Sequence, residues 1–82
     1  MSIYPNPVVG SSFNIELNHA NIGKYSIQLF NNLGQKIISQ EYYHTGGKLV
    51  KKISTDKMSA GIYTLNIINS NGDTYQTSIS FK

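Results

Sequence analysis

Gly23-Lys24-Tyr25-Ser26-Ile27-Gln28-Leu29-Phe30-Asn31-Asn32-Leu33-Gly34-Gln35-Lys36 is the stretch that decides the fold. From Tyr25 to Leu29 apolar and polar residues alternate. A strand built on that pattern turns Tyr25, Ile27 and Leu29 inward and Ser26 and Gln28 outward. It then runs into Asn31-x-x-Gly34, a turn signal. The pattern returns 38 positions on (23 to 61), as Gly61-Ile62-Tyr63-Thr64-Leu65-Asn66-Ile67-Ile68-Asn69-Ser70-Asn71-Gly72-Asp73-Thr74. Gly, Tyr, Asn and Gly match in place. Each copy opens on Gly-x-Tyr and closes on Asn-x-x-Gly, which predicts two similar hairpins with Gly34 and Gly72 at positive φ. Two copies are too few for a solenoid and fit a pseudo-symmetric sandwich.

Nothing elsewhere reads as a helix. Residues 12–17 place Phe13, Ile15 and Leu17 on one face and Asn14 and Glu16 on the other. Residues 35–43 form a longer strand, in which Ile37, Ile38, Tyr42 and Tyr43 leave the facing ambiguous and suggest a bulge. Because Tyr42 and Tyr43 are adjacent, one ring points outward. Residues 48–54 set Leu49, Val50 and Ile53 among three lysines, the composition of a protected sheet edge. Residues 61–69 turn Tyr63, Leu65 and Ile67 inward, and residues 74–81 turn Tyr75, Thr77, Ile79 and Phe81 inward. With the first strand (residues 24–31) and a short one at 2–4, the count is about seven, as in an antiparallel two-sheet β-sandwich.

The 82 residues make one domain. A domain this small buries about 60–65% of its unfolded surface, for a stability on the order of 5 kcal/mol. Hydrophobic residues make up 39%, enough for one core, and there is no cysteine to staple it. Only 13% of residues are charged, and Asn, Ser, Thr and Tyr carry the polarity, as in extracellular β-domains. The net charge of +3 comes from lysine without any arginine. Arginine is preferred for phosphate forks and base edges, so nucleic acid is not the expected partner. No apolar run approaches the roughly 20 residues of a membrane span, and no signal peptide opens the chain. Met1, and with it Ser2, reads as a start residue ahead of an excised domain.

The catalytic inventory is thin. The acids Glu16, Glu41, Asp56 and Asp73 give no pair on one strand face. His19 and His44 fall in expected loops, exposed, without a cysteine near either to complete a zinc site. No serine sits in Gly-x-Ser-x-Gly. Gly46-Gly47 reads as a hairpin loop, and Asn69-Ser70-Asn71-Gly72-Asp73 as a turn rather than a calcium loop. The expectation is a non-enzyme with no cofactor and no metal. Tyr25, Tyr63 and Tyr75 read as core residues whose hydroxyls reach the sheet rim. An exposed Tyr42 or Tyr43 could stack on a sugar, so the alternative is a glycan-binding module appended to a secreted enzyme. Exposed strand edges also offer a route to a weak homodimer.

The order of the signals says more than any one of them. Ile3-Tyr4-Pro5-Asn6-Pro7 stands at the start. Tyr25-Ser26-Ile27-Gln28-Leu29-Phe30-Asn31 runs into Leu33-Gly34-Gln35-Lys36-Ile37. Met58-Ser59-Ala60-Gly61-Ile62-Tyr63-Thr64-Leu65 follows, and a final strand ends at Lys82. Over essentially the whole chain this resembles the type A C-terminal sorting domain of the type IX (Por) secretion system. The resemblance implies a seven-stranded immunoglobulin-like sandwich at the end of a larger secreted protein of a gram-negative bacterium. It implies passage through the periplasm and recognition by the outer-membrane translocon. It also implies removal by a surface sortase at a site upstream, leaving the fused cargo at the cell surface or released, with no insertion of the domain itself into the membrane. The motif residues Pro5, Asn6, Pro7, Gly34, Gly61 and Tyr63 divide between fold and recognition. The last strand, with Thr74, Ile79, Phe81 and Lys82, has the stronger claim to recognition. A single terminal lysine departs from the more basic tails of many members.

Each motif also has a physical reading. Pro5 and Pro7 fix φ and remove two donors, which ends the first strand. Asn6 between them bonds local backbone. Gly61 permits close backbone approach where a strand begins.

Overall fold

Alternation gives each strand one apolar face, and two sheets with such faces bury each other. The computed structural model describes residues 2–5, 7–18, 21–55 and 58–82. Among these residues there is no helix, and seven strands follow one another: β1 (Ser2–Tyr4), β2 (Ser12–Leu17), β3 (Gly23–Phe30), β4 (Lys36–His44), β5 (Leu49–Ser54), β6 (Gly61–Ile68) and β7 (Thr74–Phe81). The expected strands are all present, with ends within one residue. They form a three-stranded sheet of order β1-β2-β5 and a four-stranded sheet of order β4-β3-β6-β7. Strand neighbours within both sheets are antiparallel.

The core lies between the sheets. β2 contributes Phe13, Ile15 and Leu17, and β5 contributes Leu49 and Ile53. From the other sheet come Tyr25, Ile27, Leu29, Tyr63, Leu65, Ile67, Ile79 and Phe81. One edge of the sandwich is bridged where Lys51 Nζ of β5 sits 5.1 Å from the Tyr42 ring centroid of β4. At another edge the chain beyond β1 crosses between sheets. Val8 pairs in parallel with Phe81, its N–H donating to Ser80 O at 2.7 Å and its carbonyl accepting from Lys82 N at 3.0 Å.

The two hairpin turns have the same construction. Asn31 Oδ1 accepts from Leu33 N and Gln35 N, while Gly34 N donates to Asn31 O. Asn69 Oδ1 accepts from Asn71 N and Asp73 N, while Gly72 N donates to Asn69 O. Gly34 at φ 83° and Gly72 at φ 87° are left-handed, as the echo predicts.

Other expectations meet the structure one by one. β4 has its irregularity at Ile37, where the β3 register slips between Leu29 and Phe30. Tyr43 points outward and Tyr42 inward. The lysine-bearing β5 is a sheet edge. Two expectations are corrected. Tyr75 lies on the inward face of β7 but is 41% exposed. β7 is an edge strand, and on its inward face burial reaches Ile79 and Phe81 but not Tyr75. His44 belongs to the end of β4 rather than a loop, and is only 4% exposed. The rings of Tyr25 and Tyr42 flank it at 6.1 and 6.3 Å, and its Nε2 lies 2.9 Å from Gly47 O.

Candidate functional site

β6 and β7 bring four of the motif residues, Gly61, Tyr63, Ile79 and Phe81, to one end of the sandwich. Their register sets Gly61 opposite Phe81 and Tyr63 opposite Ile79. The Tyr63 and Phe81 rings lie 4.6 Å apart between centroids, and Phe81 meets Phe13 edge-on at 6.0 Å. Tyr63 Oη donates to Ser59 O at 2.7 Å, so a buried ring has a satisfied polar tip. Gly61 makes this possible through its φ of 149°. A Cβ there would meet nothing nearer than Tyr63 Cε1 at 3.9 Å, so the glycine is needed for its dihedral and not for the close approach expected of it.

The opposite end repeats the arrangement. Gly23 has φ 141°, and Tyr25 Oη donates to Asn21 O at 2.8 Å. Burial raises the Tyr25 phenol pKa, the nearby Tyr75 adds to the rise, and the bond to Asn21 opposes it.

The remaining candidates are distributed around this frame. Lys82 is exposed, with its N–H held by Val8. Gly34 shares the Tyr63 end, because the β3–β6 register places Phe30 beside Thr64. Thr74 sits at the far end, opposite Ile68. Pro5 and Pro7 are exposed, and the Tyr4–Pro5 peptide is cis. Asn6, His19 and Asp56 lie outside the described residues, and with them the expectations placed on each.

Beside Tyr63 a shallow groove of about 290 Å³ is lined by Asn31, Ile37, Met58, Ser59 and Tyr63. It is at the bottom of the roughly 300–1,000 Å³ range of small-molecule sites, and no charged side chain lines it. On the three-stranded sheet, Glu16 links β1 to the chain before β5. Its carboxylate accepts from Lys48 Nζ at 3.1 Å and from Tyr4 Oη at 3.1 Å. The Lys48 bond, helped by Tyr4, holds the Glu16 carboxyl below its ordinary range, and the same carboxylate raises the Tyr4 phenol. Among the described residues no three His, Asp or Glu side chains come together in a metal-binding group.

The last strand is no loose tail: Ile79 and Phe81 are core, and the backbone on either side of Phe81 is bonded to Val8. Val8 went unremarked in the sequence. Its signal was the pair Val8-Val9 after Pro7, of which one side chain is buried and the other exposed. The echo marked Asn31 and Asn69, but not that each side chain closes its own turn.

A family model described as the secretion system C-terminal sorting domain matches residues 2–81. No curated protein and no solved structure matches the chain significantly.

Proposed function

The chain belongs to the secretion system C-terminal sorting domain family, and on that premise we propose that it is read, as a folded domain, by the type IX outer-membrane translocon. A larger cargo protein fused ahead of it is carried from the periplasm to the cell surface or the medium of a gram-negative bacterium. A surface sortase then removes the domain upstream of its first strand. The family match across residues 2–81 carries this reading. The burial of Ile79 and Phe81 supports the part that concerns folding, since the last strand is presented only within the sandwich.

The fold is read more finely as immunoglobulin-like. The strand orders β1-β2-β5 and β4-β3-β6-β7 support this, as does a tyrosine near the start of β6 bonded to backbone just upstream, the feature known as a tyrosine corner. Within that fold Gly34, Gly61, Tyr63, Ile79 and Phe81 act as structural residues. The exposed Pro5, Pro7, Thr74 and Lys82, and Asn6 between the prolines, are the candidates for contact with the machinery.

An export assay tests the proposal. The domain is fused, behind a signal peptide and a linker, to the C-terminus of a fluorescent reporter. Hosts with and without the translocon are compared. Reporter at the surface or in the medium only in the intact host is the expected result; an intact, folded fusion held in both periplasms rejects it. A second reading, a glycan-binding module, draws support from Tyr43, which is 63% exposed on the outer sheet face. Tyr42 lends it little, with Lys51 already over its ring. Retention on a polysaccharide column that Tyr43→Ala abolishes would favour that reading.

A further inference from the structure

We propose that the open edge of β7, from Thr74 to Ser78, is the docking site for an extended segment of the secretion machinery, which joins the four-stranded sheet as an added strand. The proposal rests on the export reading above and names the place where the domain is read.

Strand parity fixes which backbone groups face outward. Val8 bonds to Ser80 O and Lys82 N, so the even-numbered residues of β7 direct their N–H and C=O away from β6. Val8 occupies only the end of that edge. Among the described residues no other backbone group bonds to the outward side of Thr74, Gln76 and Ser78.

The other edges are blocked. β1 has three residues. β5 carries Lys51 and Lys52 and follows Lys48. β4 carries Lys36 and Glu41 and is kinked at Ile37. Short length, charge and bulges are the devices by which sheets avoid unwanted pairing. β7 has none of them: Thr-Tyr-Gln-Thr-Ser-Ile-Ser-Phe is eight residues long without a charge, a proline or a bulge. A sorting domain acts by being bound, and this is the unblocked backbone template among the edges described.

The occupant's chemistry follows from the two faces of β7. On the inward face Tyr75 is 41% exposed and Thr77 half-buried. On the outward face stand Gln76 and Ser78, both uncharged. An added strand therefore places apolar side chains at every second position against Tyr75 and small or amide side chains beside Gln76. Uncharged alternation is the expected pattern of the partner segment.

The test uses the reporter fusion in the host with an intact type IX system. Gln76→Pro removes one outward N–H without touching the β6 ladder. Ser78→Lys adds a charge to the edge, and Ser39→Lys on the already charged β4 is the control. Both β7 variants are expected to keep the wild-type circular dichroism while surface reporter falls about tenfold or more. The control is expected to export normally. Normal export of both folded β7 variants, with the wild type exported, overturns the edge proposal and leaves the export reading standing. A wild-type fusion that never leaves the periplasm rejects the export reading and this proposal with it. Should Gln76→Pro fail to fold, Gln76→Lys and Ser78→Lys decide, since both leave the backbone intact. Sedimentation of the purified domain adds one more outcome. A dimer dispersed by Gln76→Lys, with export unchanged, overturns the proposal and assigns the edge to a second copy.

Discussion

Gln28 of β3 lies directly opposite Asn66 of β6, and the two are each other's counterparts in the internal echo. A pseudo-two-fold axis therefore passes between them, normal to the four-stranded sheet. It exchanges the pair Ile27–Ile67 with the pair Leu29–Leu65, and β4 with β7. One sequence pattern thus builds both ends of the sheet. The axis is also a point of polar imbalance, because Asn66 Oδ1 is buried without a partner. An unsatisfied buried acceptor costs free energy, and Asn is a poor strand former. Asn66→Thr is expected to raise stability by about 0.5–1 kcal/mol. Urea denaturation measures it, and a loss of stability would show that the amide is satisfied in solution.

The symmetry makes the two tyrosine hydroxyls equivalent. Tyr63 bonds Ser59 O and Tyr25 bonds Asn21 O, each four residues back. Tyr63→Phe and Tyr25→Phe should each cost about 1 kcal/mol, the net worth of a hydrogen bond whose carbonyl is left partly buried. The sites are at opposite ends of the sheet, so the double variant should lose the sum. A strongly non-additive double variant would mean that the ends are coupled through the core.

Gly34 and Gly72 separate backbone strain from crowding. Both are left-handed, and a Cβ at either would meet nothing within 4 Å. Gly34→Val and Gly72→Val should therefore each destabilise by about 1–2 kcal/mol or more through φ alone. Gly34→Asn should recover most of the loss, since Asn tolerates that region. Unchanged melting temperatures in both valine variants would show that the turns are built differently.

Strands and turns were legible in the sequence because their signals are local. Ser12–Leu17 alternates throughout and β6 does so from Tyr63 to Ile67, so period two alone assigns their faces. The Asn-x-x-Gly turns carry their own dihedral demand. What escaped the sequence depends on the second sheet. Tyr75 alternates correctly, yet it stands on an edge strand, a position set by the pairing of strands far apart in the chain. His44 is polar and next to Thr45-Gly46-Gly47, so it reads as loop, but two aromatic rings and a carbonyl enclose it. Val8 pairs across the sheets with a residue at the other end of the chain, which no local pattern announces. The open edge of β7 is legible as an uncharged strand only once the sheet order is known.

Glu16 gives the domain a pH dependence of known sign. Its folded pKa lies below the ordinary value, because Lys48 and then Tyr4 hydrogen-bond the charged form. A depressed carboxyl pKa contributes stability above the unfolded value and loses it as pH falls through the folded one. Glu16→Gln should therefore melt below the wild type at neutral pH, and the gap should close as the solution is acidified through the carboxylate range. A gap that persists at pH below both values would mean that Glu16 acts through packing rather than charge.

Phe81 decides whether the end of the chain is an epitope or a keystone. Its ring is 6% exposed between Phe13 and Tyr63, and the backbone beside it holds Val8. Removing such a ring costs about 3–5 kcal/mol, against a total on the order of 5 kcal/mol for a domain of this size. Phe81→Ala should therefore leave much of the population unfolded at physiological temperature. Export should be lost together with the circular dichroism of the sandwich. Phe81→Leu refills most of the volume, and should stay folded and be exported. If Phe81→Leu folds as the wild type does and is still retained in the periplasm, the ring itself is being read by the machinery.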